Sequence, residues 1–410
     1  MRILMIVEPG RKDFYSYLQE DQENEYLLLW YESKQSADAA AVAANPFFKE
    51  NYYWDQFITP NQLLKKIKPD KIVFFEIIDQ RQIALVVAAR KKKITTFYLE
   101  HGAAGSRETA IERTEIPGFV HKQRIPYILK RIVSSLPQVI RTKIFYYSNF
   151  SGFSSPGNFF SYFKLPLLML TLNPNKALAR CLFPERVPRY SIVFNRVNLE
   201  EHQLFTGITE ADALLTGLPF FDSYYRAVPT YLDHIVYIEQ PYLEQHLENW
   251  TVAHHQQIAE RLLQFANTVK RKVYVKLHPR SDRSLWKKIE EANSPYLTVL
   301  QAGDFTDIFL SSSLILGYSS SLLTGFLCAR KNVVLLGWHP EPGVFGNDFS
   351  KTGLCHYSGS VEELFTKISY WEGNNLCVVN EDLYNKYLLD YNFPFDGQAS
   401  KRVLKAIQEL

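Results

Sequence analysis

Phe97-Tyr98-Leu99-Glu100-His101-Gly102 is the stretch from which the fold of this chain can be read. An apolar run of β type stops abruptly at a carboxylate, an imidazole and a glycine. That is the pattern of a buried strand whose carboxyl end carries chemistry. Similar runs precede it at 2–7, 25–31 and 71–76, and helix-like segments at 11–19, 60–68 and 79–91 separate them. Strands alternating with helices at this spacing predict a parallel, doubly wound sheet, which holds ligands at the carboxyl ends of its strands. Glu100 or His101 is therefore a candidate to take a proton from an acceptor hydroxyl, and Gly102 lets that acceptor approach.

Working outward, the alternation dissolves over about 103–189 into an aromatic insertion and resumes at 190–194. Periodicity is lost again around 224–232, which sets a domain boundary at 228/229. Beyond it, strands are predicted near 234–239, 272–277, 297–301, 314–317 and 332–336, with helices near 243–268, 282–293, 304–310 and 320–330. The fold class is thus α/β, with two Rossmann-like domains, 1–228 and 229–396, facing one another across a cleft. A last helix within 397–410 is expected to pack back on the first domain.

The second domain repeats the pattern of a strand ending in chemistry. Val273-Tyr274-Val275-Lys276-Leu277-His278-Pro279 runs into Arg280, so His278 emerges where Pro279 stops ladder pairing. An imidazole there can donate to a leaving phosphate or act as a general acid, with Lys276 and Arg280 adding positive charge. Leu316-Gly317-Tyr318-Ser319-Ser320-Ser321 joins a buried strand to an apolar helix, and its hydroxyls and amides suit a phosphate. A plain N-cap would need one serine; this segment has three. His254-His255, on a predicted helix without acidic or cysteine partners at ligand spacing, is expected on the surface. His339-Pro340-Glu341-Pro342-Gly343 either lines the donor pocket or is a plain loop. Neither G-x-G-x-x-G after a first strand, nor a P-loop, nor G-x-S-x-G occurs, which argues against dinucleotide oxidoreductases, P-loop enzymes and serine hydrolases.

Bulk properties fit this reading. A chain of 410 residues exceeds one ordinary core and suits two domains of roughly 200 residues. With 46% apolar and 22% charged residues it has the composition of a soluble globular protein. Cys181, Cys328, Cys355 and Cys377 lack metal-type spacing and read as reduced thiols of a cytoplasmic protein. The first apolar run is only five residues long and reads as a strand rather than a signal peptide. No stretch reaches the roughly 18 apolar residues of a membrane span.

The net charge of +3 hides an asymmetry, since residues 116–184 hold nine Lys or Arg and no Asp or Glu. This segment is also rich in Phe, Tyr and Leu, as in Ile144-Phe145-Tyr146-Tyr147 and Phe159-Phe160-Ser161-Tyr162-Phe163. Two readings follow, an anionic membrane surface as partner or an aromatic core with solvated basic residues. A nucleic acid partner is not expected, because no recognisable nucleic-acid module carries the charge.

Taken together, Glu100-His101-Gly102, His278-Pro279 and Ser319-Ser320 resemble the motifs of bacterial sialyltransferases and polysialyltransferases of GT-B fold. Gly217-Leu218-Pro219-Phe220-Phe221-Asp222 and Tyr237-Ile238-Glu239-Gln240-Pro241 look like the domain-junction segments of that family. The resemblance implies a metal-independent, cofactor-free glycosyltransferase. Its donor would be a CMP-activated sialic acid or other 2-keto sugar acid, and its acceptor a capsule or lipooligosaccharide glycan. By that resemblance Glu100 would be the base, His278 would bind or protonate the donor phosphate, and Ser319 and Ser320 would hold it. Lys276, Pro279, Arg280, Gly317, Tyr318 and Ser321 are donor-side candidates from their own place at these strand ends. One position departs, because the second motif residue is acidic in sialyltransferases and is His101 here. An H-G pair is similar to CDP-glycerol glycerophosphotransferases, in which the histidine is taken as the base. Both relatives use cytidine nucleotides. A non-catalytic nucleotide- or glycan-binding subunit is the reading from a different class.

Overall fold

The computed structural model describes residues 1–8, 11, 14–19, 21–30, 45–102, 125–150, 152–172, 174–226, 232–244, 250–292, 294–301, 303–338, 349–374 and 376–410. They divide into two compact units. The first draws on residues up to Phe220 and on Ala399–Leu410, and the second on Phe221–Gln398. The expected boundary at 228/229 lies outside the described residues, as does the His339–Gly343 segment.

Unit 1 is built on seven strands: β1 (Arg2–Ile6), β2 (Glu25–Trp30), β3 (Glu50–Tyr53), β4 (Lys71–Phe74), β5 (Thr95–Leu99), β6 (Tyr190–Val193) and β7 (Ala213–Leu215). Their order is β3-β2-β1-β4-β5-β6-β7, and every pair is parallel. A parallel sheet is covered on both faces, so its strands are near-continuous apolar runs, and Ile3–Ile6 and Phe97–Leu99 are buried throughout. The helix Gln80–Lys91 follows the same logic. It is buried from Gln82 to Ala89, because the insertion helix Ile125–Tyr147 packs over it. Asp79 starts it with a capping box, accepting from the Arg81 amide at 2.7 Å while Gln82 accepts from the Asp79 amide at 3.0 Å.

Unit 2 uses β8 (Leu232–Ile238), β9 (Lys272–Lys276), β10 (Leu297–Leu300), β11 (Ser312–Gly317), β12 (Val333–Leu336) and β13 (His356–Ser358). The order is β10-β9-β8-β11-β12-β13, again parallel throughout. Each sheet therefore reverses strand order once, between β1 and β4 in the first and between β8 and β11 in the second. Open α/β sheets bind ligands outside the carboxyl ends at such points.

The predicted strands appear within a residue or two of their expected bounds, whereas β3 and β13 have no counterpart in the sequence reading. Both are edge strands, and β3 is half-buried for three of its four residues, so no apolar run marks it. The helix expected over 11–19 is reduced among the described residues to one 3₁₀ turn, Ser16–Leu18. The last helix, Ala399–Glu409, belongs to unit 1. Ala399, Val403 and Ile407 form its buried stripe, and the Lys71 ammonium caps its end on the carbonyls of Ile407 and Gln408 at 2.6 and 2.9 Å.

The described part of the insertion supplies core, as the second of its two readings expects. The helices Ile125–Tyr147 and Pro156–Thr171 bury Phe145, Tyr146, Tyr162 and Leu165 in the unit 1 core. Tyr146 and Tyr162 stack with centroids 4.0 Å apart, and each donates its hydroxyl to the other's carbonyl. Leu136, Val139, Ile140 and Ile144 on the first helix, and Phe160, Phe163 and Leu167 on the second, remain exposed. Among the described residues no helix is long and apolar enough to cross a membrane.

Candidate active site

In unit 1 the carboxyl ends of β4 and β5 and the helix Arg196–Thr206 bring together Glu76, Glu100, His101 and His202. Glu100 is 7% exposed, and both its oxygens are engaged. Oε1 accepts from the His101 amide at 2.8 Å, and Oε2 lies 2.8 Å from His202 Nε2. Burial pushes its carboxyl up, but the hydrogen bond and charge of His202, with the charge and amide of His101, hold it below the ordinary glutamate range. The His101 ring is more open, with its side chain 27% exposed, and packs on Phe14 at 4.6 Å. Two carboxylates flank it: Glu76 Oε1 is 3.8 Å from Nε2 and Glu100 Oε1 is 3.7 Å from Nδ1. A ring so placed can take a proton and have the resulting charge offset from both sides. Gly102 follows at the same edge, and a side chain there would meet nothing within 4 Å.

In unit 2 the residues His278, Pro279, Arg280 and Ser281 close a tight turn after β9, the Ser281 amide donating to the His278 carbonyl at 3.0 Å. The Arg280 amide donates to His278 Nδ1 at 3.1 Å. That bond needs a lone pair on Nδ1, which assigns the proton of the neutral ring to Nε2. Beneath the turn lies Glu239, at the carboxyl end of β8 and 3% exposed. Its Oε2 accepts from the His278 amide at 3.1 Å and from the Ser281 hydroxyl. Burial pushes its carboxyl up to about 7.

The β11 end supplies the hydroxyls. Ser319 and Ser320 are buried, Tyr318 is half-buried and Ser321 exposed. Ser319 Oγ pairs with the Tyr242 hydroxyl at 2.7 Å, and Ser320 Oγ accepts from the Leu322 amide at 3.4 Å. A side chain at Gly317 would crowd Leu323 at 3.1 Å and Ile238 at 3.6 Å, so glycine permits the close approach of β11 to β8 and the following helix. Glu239 and Ser319 thus flank the β8/β11 reversal point. Lys276 is engaged elsewhere: its ammonium bonds the carbonyls of Leu277 and Gln301 at 2.6 and 3.4 Å. Pro279 and Arg280 are exposed.

A family profile described as A-2_8-polyST, Alpha-2,8-polysialyltransferase (POLYST), matches residues 58–302, more than half of the chain. The chain belongs to the alpha-2,8-polysialyltransferase family. The match contains Glu100, His101, His202, Glu239 and His278 and ends before Ser319. Membership makes the chain a glycosyltransferase. The two parallel-sheet units are those of GT-B enzymes. Structures of the wall teichoic acid polymerase TagF soaked with CDPG are similar, with TM-scores of 0.54 and 0.55 and 11% and 10% identity, over 100% of this chain and 88% of theirs. The UDP-GlcNAc 2-epimerase of Methanocaldococcus jannaschii in complex with UDP-GlcNAc and UDP is similar at a TM-score of 0.50 and 12% identity, over 99% of each chain. At these identities the likeness concerns the fold alone. A search of curated proteins gives no significant match.

Three residues of these two strand-end groups, one in unit 2 and two in unit 1, escape sequence reasoning. Glu239 has a signal, a strand ending in an acidic residue just as β5 does, but its segment reads as a domain junction. His202 sits in a polar run, Glu200-Glu201-His202, that nothing in the sequence ties to Glu100, and Glu76 follows β4 without a distinguishing neighbour. The expectation for His254-His255 is corrected. His255 is buried, with its ring 5.3 Å from Trp286, and the His254 Nε2 atom lies 3.1 Å from the Trp338 carbonyl. Both are packing residues of unit 2, and the helix face rather than solvent explains the pair. Cys181, Cys328 and Cys355 are free thiols.

Proposed function

We propose that this glycosyltransferase moves a sialic acid or another 2-keto sugar acid from a CMP-linked donor to a cell-surface glycan. The observation that carries the donor half is the Arg280 amide to His278 Nδ1 bond, which puts the proton of the neutral ring on Nε2 at the carboxyl end of β9. In the reaction an acceptor oxygen attacks the anomeric carbon, the bond from that carbon to the phosphate oxygen breaks, and CMP departs. The Nε2–H of His278 hydrogen-bonds the departing phosphate and offsets its growing charge, a role that needs neither metal nor cofactor. Ser319, Ser320 and Tyr318 hold the same phosphate, and the exposed guanidinium of Arg280 adds charge. The acceptor proton goes to His101, flanked by Glu76 and Glu100.

That last assignment favours a second reading. Glu100, the base implied by the sialyltransferase pattern, is buried with both oxygens occupied, whereas a histidine base is what the CDP-glycerol glycerophosphotransferase pattern asks for. One experiment separates the readings: a panel of CMP-sialic acid, CMP-Kdo, CDP-glycerol, UDP- and GDP-sugars scored for turnover. Turnover of a CMP-linked keto acid alone is the expected outcome. Turnover of CDP-glycerol alone replaces the first reading with the second, and nucleotide binding without turnover of any donor overturns both.

The exposed apolar faces of the insertion helices, with Arg141 and Lys164 exposed among them and no acidic residue from 116 to 184, support docking on an anionic membrane surface. We expect co-sedimentation with phosphatidylglycerol vesicles that weakens as salt rises, and retention of the protein in the supernatant at low salt would contradict it.

A further inference from the structure

A recess in unit 1 opens at the end of the sheet opposite the acceptor-side residues. It encloses about 600 Å³ and lies at the amino-terminal ends of β5, β6 and β7, where Thr95, Tyr190 and Asp212 line it. The acceptor-side residues stand at the opposite ends of the same strands, roughly 15 Å away along β5. Its volume is that of a small-ligand site. The floor is apolar, formed by Ile94, Phe183, Val187 and Ile208, and the rim is basic, formed by Arg90, Lys93 and Arg189.

The cations are differently held. The Arg189 guanidinium sits 5.2 Å above the Tyr190 ring and 3.6 Å from Asp212. The Arg90 guanidinium is fixed on the Pro184 carbonyl at 2.6 Å, and Lys93 has no acidic partner among the described residues. Arg90 and Pro184 also border a second recess of about 470 Å³, which Lys91, Phe153 and Glu185 help to line. The two recesses meet at Arg90 and Pro184, and together they are lined by four cations, Arg90, Lys91, Lys93 and Arg189, against two carboxylates, Asp212 and Glu185.

We propose that this groove is a second glycan site, which takes a carboxylate-bearing sugar chain away from the reacting edge. The inference rests on the proposed transfer of a sugar acid, because the product of each such transfer is a chain with this chemistry. Pyranose faces pack on the apolar floor, while the guanidinium and ammonium groups receive the carboxylates. A neutral glycan leaves the cations unanswered, and a single small anion leaves the apolar floor uncovered.

The groove also touches the acceptor side through one element. Thr206 and Gly207, which line it, end the helix Arg196–Thr206. The Thr206 hydroxyl donates to the carbonyl of His202 at 2.6 Å, and the His202 ring holds Glu100. An occupant of the groove therefore leans on the last turn of the helix that positions the Glu100 carboxylate.

The test is direct binding, without donor or turnover, by calorimetry on the full chain at fixed salt. A long and a short oligosialic acid are compared with a neutral oligosaccharide, for the wild type and for Lys93→Glu combined with Arg189→Glu. Both substitutions fall on exposed side chains, where effects on folding are small. The long acidic chain is expected to bind the wild type, with the affinity falling at least about tenfold in the double variant and turnover on a short acceptor unchanged. Equal affinity in the two proteins, or equal binding of the neutral chain, overturns the proposal. Because no donor takes part, this failure is distinct from that of the transfer reaction, which the donor panel reads.

Discussion

His278→Ala is expected to lower turnover of the true donor by roughly 10²- to 10³-fold, the usual cost of removing one preorganised donor to developing negative charge. The loss should fall on kcat and kcat/KM together with KM little changed. The Nε2–H bond to the departing phosphate strengthens only as the bond from the anomeric carbon breaks, so it is worth most in the transition state. His278→Asn, which retains an N–H donor on a shorter side chain, should recover part of the loss. Full turnover by His278→Ala would sink the donor-side mechanism.

Glu239 has a signature separate from that of His278. It touches the His278 amide and the Ser281 hydroxyl, so it positions the turn from below. Its carboxyl, at about 7 in the folded protein, stands above the ordinary 4.5. A raised folded value means that the favourable contribution is complete below about pH 4.5 and is lost as the pH rises through about 7. The charged form then costs on the order of 3 kcal/mol. Wild type should therefore lose several degrees of Tm between about pH 5 and about pH 8 that Glu239→Gln, which has nothing to titrate there, does not lose. This variant can keep an acceptor for the His278 amide, so the Tm profile separates the role of Glu239 from that of His278. An identical profile in both proteins would contradict the burial argument.

What could be read from the chain follows from what burial imprints on sequence. A parallel strand covered on both faces has to be apolar along its length, so β1, β2, β4, β5, β11 and β12 stand out, while β9 is marked by alternation, with Val273 and Val275 buried between half-buried residues. With these strands stand out the residues at their carboxyl ends. Glu100, His101, His278 and Ser319 were legible for that reason. An edge strand such as Glu50-Asn51-Tyr52-Tyr53 bears no such constraint and looks like a loop. His202 was not legible either. Its distance from Glu100 along the chain is bridged only by the pairing of β5 with β6, which swings the helix after β6 over the end of β5. Local pattern can mark a strand's end as reactive, but which helix leans over that end is settled by sheet order. The insertion shows the same limit. Its aromatic residues alone do not separate Tyr162, stacked in the core, from Phe160, which is 67% exposed.

The second large effect concerns the acceptor proton. His101→Ala is expected to reduce kcat/KM by roughly 10²- to 10⁴-fold, the range for loss of a general base, whereas Glu100→Gln should cost about tenfold. The difference comes from geometry. In the Glu100→Gln variant the side-chain amide oxygen can still accept from the His101 amide. Its NH₂ can donate to His202 Nε2 once that ring carries its proton on Nδ1, so the edge keeps its shape. What this variant loses is charge, one of the two carboxylates that offset the protonated His101 ring. Glu76→Gln removes the other, which is more exposed and screened by water, and so should cost less. His202→Ala is more severe than its distance from the reacting atoms suggests, since it leaves the buried Glu100 Oε2 without its partner and frees the carboxylate to turn. The two variants assign the proton: with His101 as the base, Glu100→Gln keeps most of its turnover and His101→Ala does not. If Glu100→Gln is instead as inactive as His101→Ala, the base is Glu100, and a carboxylate held low by His202 would have to be released by the acceptor before it could work. That would make His202 a latch on the base, and an acceptor that breaks the 2.8 Å contact between them the trigger for turnover.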